Sequence, residues 1–144
     1  MMNTLFGITV VLLGLLAWAG QTISFLAPHV AEQWGLQEPE DEVDKTLHII
    51  ESKALGLNDM LFTWILPLSG VLMIIEHSMW PYFGLVGGGI YLYFSGMIVF
   101  SRLYLQKEGI KIGRPNQIKV AYLFSGLWSA SALIMIVMSY IKLS

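Results

Sequence analysis

The chain has 144 residues, enough for one domain, of which 56% are hydrophobic and 12% charged. That is about half the charged share of an ordinary soluble domain, so the composition points to a lipid bilayer rather than to water. The formal net charge of −2 gives no basic face for nucleic acid. The lack of cysteine excludes disulfides, thiolate metal sites, thiol catalysis and iron–sulfur clusters.

The first predicted span covers 3–27, apolar except for Thr4, Thr9, Gln21, Thr22 and Ser24, with Pro28 marking its end. Leu5 to Leu16 resembles the apolar part of a signal peptide. No Lys or Arg precedes Lys45, so the charged leader is missing and an uncleaved first helix is expected. A link over 29–58 follows. His29 to Trp34 would prolong the first helix or form a short surface helix ending at Gly35. Glu38-Pro39-Glu40-Asp41-Glu42 reads as a helix start, with proline in the first turn and acids at the positive end of the dipole. Val43, Leu47, Ile50, Ala54 and Leu57 then make one apolar face, giving an amphipathic helix that stops near Gly56.

Three further spans are expected over 60–76, 82–105 and 118–141. Roughly 20 residues at 1.5 Å rise cross about 30 Å of hydrocarbon. Every backbone amide there must be satisfied within the chain, and the spans lack the ten-residue alternation of a membrane barrel. The expected fold is therefore all-α: a polytopic membrane protein with four transmembrane helices in an antiparallel bundle, plus the amphipathic helix in the first link. Four spans put the links 29–58 and 106–117 on one side. That side holds Lys45, Lys53, Arg102, Lys107, Lys111, Arg114 and Lys119, and the other holds only Lys142. The positive-inside rule then makes both links cytoplasmic and both termini external, in a plasma or inner membrane.

Each span carries a small or weakly polar face. These are Gly14, Ala17, Gln21 and Ser24 in the first, Asp59, Thr63, Pro67 and Gly70 in the second, Gly84, Gly88, Tyr91 and Ser95 in the third, and Tyr122, Ser125 and Ser129 in the fourth. Small faces let membrane helices approach closely, so ordinary interhelical packing is the plainer account. A polar cleft opening toward the cytoplasm is the functional one. Gln21, Ser24, Asp59, Thr63 and Arg102 form an expected polar intramembrane cluster at the link end. Asp59 begins an apolar run and Arg102 ends one, so the two would pair or would reach separately for headgroups.

Two His-x-x-acid pairs stand out, His29 with Glu32 and His48 with Glu51. Residues three apart share a helix face, and with Asp59 these side chains offer ligands for zinc, manganese or iron. The order is the reverse of the Glu-x-x-His of diiron bundles, and solvated or capping roles, or a Glu51–Arg102 pair, compete. His77 lies at the far end, which disfavours a bis-histidine haem. The basic link with Lys107, Lys111, Arg114 and Lys119 could receive the acidic Glu38–Asp44 segment and fold the first link across the mouth of the bundle.

Three functions follow as expectations. The first is a non-enzymatic accessory or structural subunit of a membrane complex or homo-oligomer, with lipids and another membrane protein or its own copies as partners. The second is a metal-dependent membrane enzyme using a His/carboxylate site with a divalent metal. The third is a small transporter or lipid-binding module with an Asp59/Arg102 polar pathway.

Overall fold

The structure is a computed structural model that describes residues 2–144. It is all-helical, and four of its helices are long and apolar enough to cross a membrane: Asn3–Leu26, Lys45–Ile74, Trp80–Lys107 and Pro115–Leu143. In chain order, α1 is Met2–Leu26, α2 Pro28–Gln33, α3 Lys45–Ile49, α4 Gly56–Phe62, α5 Ile65–Ile74, α6 Trp80–Lys107 and α7 Pro115–Leu143. A π-helical segment, Ile50–Leu55, joins α3 to α4.

The second rod differs from expectation. Gly56 does not stop an amphipathic helix; α3, the π segment, α4 and α5 form one continuous rod of 30 residues. Gly56 lets α1 come close instead, because a Cβ there would stand 3.3 Å from the Cβ of Phe25. Nor does a helix begin at Pro39. The start lies at Lys45, where the Asp44 carboxylate accepts from the amides of Thr46 and Leu47 at 2.9 and 3.2 Å. Such a cap satisfies amides that have no partner inside the helix. Trp80, at the start of α6, is buried in the core.

Three helices end in the same way. α2, α5 and α6 are each followed by a residue of positive φ: Gly35 at 69°, Glu76 at 55° and Gly109 at 72°. In each, this residue and the next return their amides to the last helical carbonyls, which closes the exposed end.

Neighbouring rods run in opposite directions. Along α1 and the second rod, Gly7 meets Gly70 and Ile74, Gly14 meets Pro67, and the Trp18 indole donates to the Met60 carbonyl at 3.0 Å. Gly87 of α6 lies against the backbone of Ile65 and Leu66. Along α6 and α7, Gly84 meets Met135 and Ser139, Gly88 meets Ala132 and Ile136, and the Ser95 and Ser129 hydroxyls are 2.7 Å apart. The order of contact is α1, α5, α6, α7; α1 touches α7 only lightly. The buried core of Val10, Leu66, Met73, Tyr91, Ala132 and Met135 fills the half away from the links.

The two links are clasped together. Val43 pairs with Ile112 in an isolated antiparallel bridge, and the Asp44 amide donates to the Lys111 carbonyl at 2.8 Å. The Lys111 ammonium donates to the Asp41 carbonyl at 2.6 Å and lies 3.6 Å from the Glu42 carboxylate. Buried Glu38 accepts from both the backbone amide and the side-chain Nε of Arg114, each at 3.0 Å. The acidic stretch thus meets the basic link, as the charge pattern suggests. Gly113, at φ 114°, supplies the backbone turn over which Glu38 lies, and a Cβ there would collide with the Glu38 side chain.

Candidate functional site

The site begins with a proline. Pro67 has no amide hydrogen, so the carbonyl four residues earlier, Thr63, loses its helical donor. The chain loosens into a turn at Thr63 and Trp64 between α4 and α5. Fully buried Tyr91 of α6 supplies what is missing: its hydroxyl lies 3.0 Å from the Thr63 carbonyl and 2.9 Å from that of Gly14. One hydroxyl proton shared between two carbonyls pins α1, the second rod and α6 at a single point. The Thr63 hydroxyl donates to the Asp59 carbonyl at 2.8 Å. Thr63 is therefore spent on the backbone and takes no part in the cleft beside it.

Below this pin the helices part. A cleft of about 270 Å³ lies between α1, the second rod, α6 and α7, bordered on the link side by residues 35–38. Its upper wall is aromatic. The Trp128 indole donates to the Leu13 carbonyl at 2.9 Å and is the main tie between α7 and α1. Phe94 and Phe124 pack on it with ring centroids 5.2 and 5.5 Å away. Along α1, Gly20 borders the cleft and a Cβ there would meet no atom within 4 Å. The floor is charged. Glu51 and Arg102 form an ion pair at 2.7 Å, both side chains largely shielded from solvent.

The structure brings together most of the expected polar cluster. Gln21, Ser24, Asp59 and Arg102 all line the cleft, with Ser24 and Asp59 buried. The partner of Arg102 is Glu51, however, and among the described residues Asp59 is in no ion pair. Asp59 stands eight residues further along the rod, roughly 12 Å at helical rise. The π segment sets this arrangement: its extra residue per turn rotates the rod's first part relative to α4 and places Glu51 opposite the end of α6.

The proposed metal ligands do not gather. His48 Nε2 lies 4.0 Å from the Glu32 carboxylate and both ring nitrogens face the Gln37 amide at 3.3–3.4 Å. Glu51 is engaged by Arg102, and His29 is exposed. Among the described residues no three His, Asp or Glu side chains converge as a metal site would need. Residues the sequence reading overlooked are Tyr91 as a pin, Trp128 and Gln37. The signal for Tyr91 was present: a proline inside a span frees the carbonyl four residues before it. Gln37 lines the cleft with its Oε1 buried and unpartnered.

Comparison with protein-family models, curated proteins and solved structures finds no match for this chain.

Proposed function

We propose that this is a small integral membrane protein of four antiparallel spans whose cleft takes up an amphiphilic molecule. The supporting observation is the cleft itself: an aromatic and aliphatic wall above, a charged floor below, and about 270 Å³ between. Ligand pockets of small molecules run from about 300 Å³ upward, so the cleft suits one polar head and the start of one chain. Its floor falls where the long helices begin and end, the depth at which a head would sit. Lys and Arg abundance at the link end supports placing both links in the cytoplasm and both termini outside.

Native mass spectrometry of the protein released from lipid tests the reading. One retained amphiphile per chain is expected, lost in Gly20→Leu, which adds a side chain at a cleft-lining position whose Cβ meets no atom within 4 Å. A bare protein mass in gentle detergent, or retention unchanged in Gly20→Leu, would sink it. Because the chain has no cysteine, single cysteines at Glu108 and Ser144 report orientation through a membrane-impermeant maleimide. Labelling of Ser144→Cys and protection of Glu108→Cys in intact cells is expected.

A second reading, self-association, is favoured by the outer groove of α6 and α7. There the Tyr122 and Ser125 hydroxyls are buried without partners, and Gly126 has open space beside it. A disulfide-linked dimer of Gly126→Cys formed in the membrane would support it, and monomer alone would remove it.

A further inference from the structure

Three carboxylates and one guanidinium line the cleft: Glu38, Glu51 and Asp59 against Arg102. The charge of Arg102 is committed to Glu51 at 2.7 Å. Glu38 is matched by Arg114, at 3.0 Å, from outside the cleft. Asp59 alone is left over. It is 8% exposed and is the deepest acid of the rod. A carboxylate buried beside hydrocarbon needs a countercharge or donors; the Asn58 side chain gives Asp59 one neutral hydrogen bond, and no described cation pairs with it. The buried, unpartnered atom among the described cleft-lining residues, Gln37 Oε1, is also an acceptor. Phe94, Phe124 and Trp128 present rings to the same space, and ring faces attract cations and not anions. Unmatched carboxylate, unpaired amide oxygen and aromatic wall all ask for a positively charged donor.

Resting on the cleft reading above, we propose that the occupant is a cationic amphiphile, a single-chain amine, and that Asp59 is the group that receives its ammonium. The Glu51–Arg102 pair is then not the ligand's partner. It neutralises the floor, so that Asp59 carries the cleft's selectivity.

The test uses purified full-length protein in maltoside micelles, with tritiated decylamine and tritiated decanoate as chain-matched probes in a scintillation-proximity binding assay. Saturable decylamine binding at least tenfold tighter than decanoate binding is expected in the wild type, a comparison that needs no variant. Asp59→Asn should weaken decylamine at least tenfold while leaving decanoate unchanged. Gly20→Leu should abolish saturable binding of whichever probe binds. Equal or tighter binding of decanoate in the wild type, or full decylamine affinity in a folded Asp59→Asn protein, overturns the head-group assignment. If Gly20→Leu still removes the binding seen, the cleft reading survives that loss. Saturable binding unchanged in Gly20→Leu, or none of either probe, overturns both.

Discussion

The molecule has two halves that use the same small residues to opposite ends. Away from the links, Gly7, Gly70, Gly84, Gly87 and Gly88 each lie where a neighbouring helix presses in, and a Cβ at any of them would collide with that neighbour. Toward the links, Gly20 faces nothing within 4 Å. A glycine in a membrane helix is thus a permission, not a contact. It gives close packing where the opposing helix has reason to approach, and a void where it does not. The difference lies in the polar groups. Among the described residues the closed half buries hydroxyls and no charges, as in Ser69, which donates to the Trp80 carbonyl at 3.0 Å. The open half holds charges, which keep apart helices that would otherwise close.

The sharpest break of this contrast is at Gly87. A Cβ there would stand 2.7–2.8 Å from the backbone of Leu66, which cannot yield as a side chain can. Gly87→Ala should destabilise by ~1–3 kcal/mol, the range of over-packing, read as a fall in thermal midpoint in detergent. Gly20→Ala, with open space, should do the reverse and stabilise by ~0.5–1 kcal/mol, the helical cost of glycine. Equal effects at the two sites would erase the distinction between the halves.

Tyr91→Phe removes the pin at the boundary between them. Two buried carbonyls lose their shared donor, at a cost of about 1–3 kcal/mol. Faster amide exchange near Thr63 should accompany the loss, and an unchanged midpoint would show the pin to be redundant. In the open half, a double-mutant cycle on Glu51→Ala and Arg102→Ala should yield a coupling of ~0.5–3 kcal/mol, the range for groups in contact. Weak salt dependence is expected, because both side chains are shielded. The last effect is at the turn between α5 and α6. Glu76 holds φ 55°, which glycine tolerates without penalty, so Glu76→Gly should raise stability by about 1 kcal/mol, with ligand retention in the cleft unchanged.

Much of the architecture is legible in the residues. Hydropathy and length mark the four long helices, and the acidic and basic links announce their pairing by charge. What stays hidden has physical causes. Gly56 looks like a stop because glycine ends helices, yet here it serves close approach to Phe25. Asp59 and Arg102 look like partners because each borders an apolar run, but that ruler ignores the three turns of helix before Asp59. Those turns bring Glu51 to Arg102 first. The metal pattern fails for a related reason: two His-x-x-acid pairs on separate elements share a ligand set only if their faces converge, and charge pairing diverts Glu51. The cleft is least legible of all, since it arises where α1 and α7 touch only lightly.

The clasp between the links has a consequence for how such a chain acquires its topology. Glu38 and Arg114 are 76 residues apart, with the whole of two long helices between them. Under the membrane reading they can meet only if both links emerge on one face of the bilayer. A span inserted with the wrong sense would strand an acid and a base on opposite faces, each without its counterpart. The clasp therefore works as a parity check: it closes when the two links share a face, and any arrangement that separates them forfeits it.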